Sequence, residues 1–307
     1  MTAAGRLKER LNIFLAIVEI KTKVISVVTF SSAVLYSIYR SGSLPLARFV
    51  LMTLAVLMVD MGTTAFNNYF DFRAGVDVPE LSRDTDKILM YGRVEDYRAL
   101  HIALILFAGA AFFGIIISFL SGLGVAVAGA ASMAVGFLYN GGKKPISRTP
   151  FGELFAGGFL GSVLFLISVY VFTGSVDGEA MMVSLPMSFF VAAVLLVNNT
   201  CDIQGDRAAG RRTLPIVLGA MTAEVIIYLL NAAAYLTLGY CVYKGFLPAV
   251  AGYTAAAAAA LNGAALFTMN RRRYNHETKV IHMKTIVGLY GIFGLQFAAA
   301  MIFSIEW

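Results

Sequence analysis

Charge is scarce in this 307-residue chain: Asp, Glu, Lys and Arg make up 14% of it, against roughly 25% in soluble globular proteins. That excludes an ordinary cytosolic enzyme. Cysteine is nearly missing, with only Cys201 and Cys241 present, so a disulfide scaffold is excluded and both thiols are expected to be reduced core residues. The three histidines, His101, His276 and His282, are scattered and give no metal-ligand spacing. Sustained apolar/polar alternation is absent, and the apolar runs are about twice the length of a barrel strand, which excludes a membrane β-barrel. Disorder is excluded because 23 Phe and 14 Tyr sit among those long runs.

What fills the chain instead is apolar: 59% of residues are hydrophobic and the mean hydropathy is +0.76. An integral membrane protein follows. A hydrocarbon core of about 30 Å takes roughly 20 apolar residues of helix. Nine such runs separate at charged or Gly/Pro-containing breaks: Val24 to Tyr39, Ala47 to Phe70, Leu100 to Leu120, Leu123 to Tyr139, Phe151 to Phe172, Met181 to Asp202, Met221 to Tyr243, Phe246 to Met269 and Thr285 to Ile305. The expected fold is all-α, a polytopic membrane protein with nine transmembrane helices in one bundle, forming a single domain over 1–307. Leu7, Leu11, Phe14, Leu15 and Val18 recur at helical spacing among charges, so 1–23 is expected to lie as an interfacial helix on the membrane surface.

Of the 24 Lys and Arg, only Arg40, Arg48 and Lys244 fall in connections after odd-numbered spans. The other 21 lie at the N-terminus or after spans two, four, six and eight. The positive-inside bias then puts the N-terminus in the cytoplasm and Trp307 outside. The same asymmetry, with contact to anionic membrane lipid, accounts for the net charge of +6, and no nucleic acid partner is required. No transit peptide is present, which favours a prokaryotic plasma (inner) membrane.

The acids cluster. The second span ends in Asn67-Asn68-Tyr69-Phe70-Asp71, followed by Gly75-Val76-Asp77, and the sixth in Asn198-Asn199-Thr200-Cys201-Asp202 with Asp206 one turn on. Residues at i and i+4 share a helix face, so Asn67 and Asp71 form one ladder of oxygen ligands, and Asn198, Asp202 and Asp206 form another. Carboxylate and amide oxygens without histidine or cysteine suit a hard cation such as Mg2+, which binds through one or two carboxylates plus substrate phosphates. A helix cap or an ion pair with a loop arginine would account for either motif alone, but less readily for both. Phosphate also wants Arg and Lys donors. The nearby candidates are Arg73 and Lys143 first, then Lys87, Arg207 and Arg211.

These motifs resemble those of the UbiA superfamily of intramembrane prenyltransferases. Asn67 through Asp77 is similar to the family's first motif in its NDYFDxxxGxD form. Asp202-Ile203-Gln204-Gly205-Asp206-Arg207-Ala208-Ala209-Gly210-Arg211-Arg212-Thr213-Leu214 is similar to the second, DIxxDxxAGKRTL. With Tyr139-Asn140-Gly141-Gly142, the wording is most similar to the MenA-type branch, which prenylates 1,4-dihydroxy-2-naphthoate. Two departures stand out: Asn68 replaces the usual Asp, and Arg211 the usual Lys.

The resemblance implies a bundle around a central cavity in which Asp71, Asp77, Asp202 and Asp206, with Asn67 and Asn198, hold Mg2+ against the diphosphate of a polyprenyl donor. It implies Tyr139 near the allylic carbon, although a tyrosine of the interfacial belt would read the same in sequence. The acceptor would be aromatic, dihydroxynaphthoate first, with 4-hydroxybenzoate, homogentisate or a lipid glycerol as alternatives. Asp60, eleven residues before Asp71 and so about 16 Å deeper, either orients the acceptor or bonds a neighbouring helix; Asn68 and Asn199 are the other acceptor-side candidates. Glu153 and Glu224 lie near helix starts, where the macrodipole favours acids, and need no catalytic role. A CDP-alcohol phosphotransferase would need a longer DGxxAR...GxxxDxxxD string than the chain carries. A cation-coupled transporter would place acids near the bilayer midplane, where only Asp60 falls.

Overall fold

Helix follows helix along the computed structural model, which describes residues 3–76, 88–91 and 94–305 and contains no strand among them. Asp77, Lys87 and Trp307 lie outside the described residues. The elements are α1 (Ala3–Ile17), α2 (Val24–Ser41), α3 (Leu46–Arg73), α4 (Asp96–Ser121), α5 (Leu123–Asn140), α6 (Gly152–Ala156), α7 (Leu164–Thr173), α8 (Gly178–Cys201), α9 (Ile203–Ala208), α10 (Leu214–Leu218), α11 (Ala220–Tyr243), α12 (Ala249–Arg272) and α13 (Lys279–Ile302). A π-helical stretch, Gly157–Val163, joins α6 to α7 in one span. Nine helices among the described residues are long and apolar enough to cross a membrane, in the order the hydropathy predicts. The chain is an integral membrane protein.

Three boundaries differ from the expected ones, each for a local reason. The surface helix expected over 1–23 breaks at Glu19, whose backbone is left-handed (φ 47), and a 3-10 turn, Ile20–Lys23, leads into α2. The sixth span stops at Cys201, and Asp202 (φ −99, ψ 11) joins α8 to α9, so the second ladder runs over two helices. Its register survives, because the Asp202 N–H reaches Asn198 O (3.1 Å) and the Asp206 N–H reaches Asp202 O (2.8 Å). The last span begins at Lys279 rather than Thr285, since helix continues into residues too polar to count toward a hydropathy run.

α8 is the central post, buried on most sides. Its Phe190 packs with Tyr290 and Phe293 of α13 and Tyr235 of α11 at ring separations of 4.7–5.7 Å. The π segment meets α8 through Gly161, where a Cβ would run into the Ser188 backbone. The extra residue per turn also frees the Ser162 N–H for Ser188 Oγ (2.9 Å). α4 and α5 stand outermost and turn Ile105, Phe119 and Leu123 outward, the pattern of helices solvated by lipid rather than water. Between α2, α3, α4, α5, the π segment and α8 lies a cavity of about 630 Å3 with a predominantly apolar wall, including Met52, Val56, Ile117, Leu160 and Leu195.

Candidate active site

The site begins with how two helices end. In α3, Gly75 (φ 65) follows the C-cap Ala74, the Val76 N–H returns to Asp71 O (3.0 Å), and the Gly75 N–H returns to Phe72 O (3.1 Å). In α9, Gly210 (φ 71) follows the C-cap Ala209, the Arg211 N–H returns to Asp206 O (2.8 Å), and the Gly210 N–H returns to Arg207 O (3.1 Å). Both are Schellman closures, which need a left-handed residue that glycine adopts without strain. The shared local sequence is Asp-x-x-Ala-Gly: Asp71 to Gly75 and Asp206 to Gly210. By backbone, Asp71 therefore corresponds to Asp206, whereas the paired asparagines alone align it with Asp202.

The second closure delivers Arg211 between the two aspartates. Its Nη2 donates to Asp71 Oδ1 (3.0 Å) and Oδ2 (2.9 Å), and its Nη1 to Asp206 Oδ1 (3.1 Å). Asp71 and Asp206 are buried, and the Arg211 side chain is 12% exposed. Burial pushes the Asp206 carboxyl above the ordinary carboxylate range, opposed by the Arg211 charge and reinforced by Asp202. Burial also works against the Arg211 charge, but Asp71 and Asp206 outweigh it and raise the guanidinium pKa. Asp202 is met by Lys279 at 2.7 Å, from the first residue of α13.

One turn deeper on each ladder, Asn67 and Asn198 stand in the cavity wall with Tyr139 and Asn140. The structure thus brings Asn67, Asp71, Tyr139, Asn198, Asp202, Asp206 and Arg211 to one end of the cavity. Arg73 departs from its leading place among the diphosphate candidates: its exposed guanidinium pairs with Asp96 at 3.3 Å and lies over the Tyr69 ring, because α3 rotates it away from Asp71. Lys143 and Arg207 are exposed at the same end as the motifs.

The acceptor-side candidates take helix-to-helix bonds instead. Lys23 is buried, and its ammonium reaches Asp60 Oδ1 (2.8 Å), Asp60 O (3.5 Å) and Thr64 Oγ1, while Ser26 donates to Asp60 Oδ2. Three donors on three acceptors leave the lysine nothing to spare, so Asp60, though in the cavity wall, ties α3 to the start of α2. Asn68 donates to Ile17 O (2.8 Å) and fixes the end of α1; Asn199 donates to Glu153 Oε1 (2.8 Å) and fixes α6.

Three residues that sequence reasoning passed over therefore matter here: Lys23, Glu153 and Lys279. Lys23 was hidden by its place in a basic segment, and Glu153 by its position at a helix start, although it is buried. Several buried polar atoms lack a partner among the described residues: Asn140 Oδ1, Arg148 Nε, Glu153 Oε2, Asp206 Oδ2, Arg211 Nε and Thr213 Oγ1. They lie on residues 140–153 and 206–213, segments joined by the Arg212 N–H to Arg148 O bond (2.9 Å). Buried polar atoms without partners are costly unless a ligand or water meets them.

Comparison with known proteins agrees with this arrangement. The UbiA prenyltransferase family model matches residues 26–287. The chain is 36% identical over 188 residues to the 1,4-dihydroxy-2-naphthoate octaprenyltransferase of Bacillus subtilis (strain 168), covering 61% of this chain and 60% of that protein, less than two thirds of its length. It is 27% identical over 272 residues to the UbiA prenyltransferase domain-containing protein 1 of Xenopus tropicalis, covering 85% and 75%. The structure of a UbiA homolog from Archaeoglobus fulgidus bound to DMAPP and Mg2+ superposes with a TM-score of 0.72 at 14% identity, over 95% of this chain and 98% of that one. The apo structure of a UbiA homolog from Aeropyrum pernix K1 gives 0.69 at 20% identity, over 93% and 98%. Those structures speak for the fold; a family model running from the first span into the last carries membership, and the chain belongs to the UbiA prenyltransferase family.

Proposed function

We propose that this protein transfers a polyprenyl group from an isoprenyl diphosphate to 1,4-dihydroxy-2-naphthoate, with loss of the acceptor's carboxylate to give demethylmenaquinol. The observation that carries prenyl transfer is the Arg211 bridge. It gathers an aspartate from each motif at the end of an apolar cavity, where a charged head and an isoprenoid tail would each find their own solvent. The acceptor rests on the likeness to the B. subtilis octaprenyltransferase, named for that naphthoate.

The donor set fits Mg2+. It is built from oxygen alone, Asp206 Oδ2 is buried without a partner among the described residues, and the chain already places cationic side chains against these carboxylates. Asp71, Asp202 and Asp206, with Asn67, Asn198 and Asp77, would hold the metal, and when bound it would neutralise the diphosphate and make it a better leaving group. Arg211 then exchanges carboxylate for phosphate oxygen, aided by Lys143 and Arg207 from the surrounding loops and by Lys87. The apolar wall excludes water that would otherwise quench an allylic cation, and Tyr139 presents its ring to the reacting carbon. The mouth and N-terminus face the cytoplasm, following the basic residues, and the C-terminus lies on the opposite side.

Purified protein given Mg2+, geranylgeranyl diphosphate and dihydroxynaphthoate should yield a prenylated, decarboxylated naphthoquinol by mass spectrometry. The same mixture with 4-hydroxybenzoate should yield no adduct. Asp71→Ala and Asp202→Ala should each abolish the product while eluting as the parent does on size exclusion. Adduct with 4-hydroxybenzoate alone would reassign the acceptor, and full activity in both variants would remove the metal assignment.

A further inference from the structure

The cavity wall is aliphatic on most sides, and its rings are confined to the place where α5 meets α6 and the π segment. Among the described residues that line it, only Tyr139, Phe155 and Phe159 are aromatic. We propose that Phe155 and Phe159 form a shelf for the flat ring of the aromatic acceptor, with Asn140 Oδ1 accepting a hydrogen bond from one of its hydroxyl groups. This rests on the aromatic-acceptor reading given above.

Three observations carry it. Phe155 and Phe159 lie parallel, within 1° and with ring centroids 6.2 Å apart, so a planar ligand aligned with one is aligned with both. Aromatic pairs at such spacing attract beyond the area they bury. An isoprenoid tail has no plane to match and is served by the aliphatic wall, which includes Met52, Val56 and Ile117. The second observation is a register. Leu164 also lines the cavity and stands nine residues after Phe155, about two and a half turns of α-helix, which would put the two on opposite faces. The π stretch between them, with its extra residue per turn, keeps Phe155, Phe159 and Leu164 on one wall, while Gly157 and Gly161 take the face against α8.

The third observation is Asn140, the last residue of α5. It is 5% exposed and its Oδ1 is buried with no partner among the described residues, yet it stands in the cavity wall. A buried carbonyl oxygen without a donor is costly unless a ligand or water supplies one. A phenolic hydroxyl is such a donor, whereas an isoprenoid chain and an ionised diphosphate have none to give. The two parts of the site adjoin: Tyr139 Oη lies 3.4 Å from where a Cβ on Gly152 would stand. That contact sets the end of α5 against the start of α6, three residues before Phe155. An acceptor held there lies beside Tyr139, and so beside the carbon it must attack.

The test uses the full chain in detergent with Mg2+ and two probes: 1,4-dihydroxy-2-naphthoate kept anaerobic, and 2-naphthoate, which lacks both hydroxyls. Ligand fluorescence without a prenyl donor gives the affinity of each. Phe155→Leu and Phe159→Leu should each weaken both probes by about fivefold, the scale of one aromatic pair, and Phe159→Tyr should keep most of the parent's affinity. Asn140→Leu should weaken the dihydroxy probe by about fivefold and leave 2-naphthoate as it was. In turnover, the two Phe→Leu variants should raise KM for the dihydroxynaphthoate and leave KM for geranylgeranyl diphosphate unchanged. If Phe159→Leu does not elute as a single species, Phe159→Met serves with the same readouts. A rise in the donor's KM alone would give the rings to the isoprenoid and overturn the proposal, as would parental affinity for both probes in both Phe→Leu variants. Equal loss of the two probes in Asn140→Leu would overturn the hydrogen bond assigned to that residue. Failure of the parent to bind either naphthoate would instead bring down the acceptor reading on which the proposal rests.

Discussion

Arg211 sits where two buried carboxylates would otherwise repel, and it is held by both. Removing one member of a buried ionic cluster leaves the rest uncompensated, at a cost of roughly 3–5 kcal/mol. Arg211→Met should therefore lower the melting temperature of the metal-free protein, and Mg2+ should restore more stability to this variant than it adds to the parent. Equal Mg2+ stabilisation of both would separate Arg211 from the metal site. Arg211→Lys should recover only part of the loss, because an ammonium cannot fork across Asp71 and Asp206 together. At this scale the sequence was readable by residue type, since Asp, Asn and Arg were all in hand. It was less readable by partner: Arg73 and Arg211 both follow a motif aspartate, and only the turn of each helix end sends one to Asp96 and the other into the site.

Among the elements, the Schellman closures decide where these side chains point. Gly210→Ala forces a side chain into the left-handed region, at about 1–2 kcal/mol, and shifts the backbone of Arg211, the next residue. Turnover should fall well beyond what that stability change explains. Gly210→Asn should retain more activity than Gly210→Ala, since asparagine tolerates this conformation better; assay of both variants at matched folded fraction checks the order. The closures also explain a misalignment. Paired asparagines are conspicuous in sequence and set Asp71 beside Asp202, whereas Asp-x-x-Ala-Gly is inconspicuous until the backbone shows both glycines left-handed. Lys279 escaped notice for a similar reason: hydropathy begins the last span at Thr285, although the helix begins six residues earlier. The nine spans themselves were legible because lipid-facing helices must be apolar for most of their length.

Across the whole molecule, the cavity joins the charged end to the apolar interior. Its lining on α3 runs from Met52 to Asn67, fifteen residues or about 22 Å of helix at 1.5 Å per residue. Only the resemblance of the motifs implied it, because in hydropathy a wall of Met, Val, Ile and Leu reads the same whether it faces a neighbour, a lipid or a void. Val56 lies in that wall three turns from Asn67, at the end away from the aspartates. If the donor's diphosphate sits on the motifs and its tail runs inward, a tryptophan at position 56 narrows the space for distal isoprene units and leaves the first two untouched. Val56→Trp should then keep turnover with geranyl diphosphate and lose it with geranylgeranyl diphosphate by about tenfold, consistent with an overpacking cost of roughly 1–3 kcal/mol. Measuring kcat/KM for both donors on one preparation cancels any difference in folded fraction. An equal loss for the two would mean that the tail leaves by another route, between helices toward lipid, and that the inner cavity serves the acceptor.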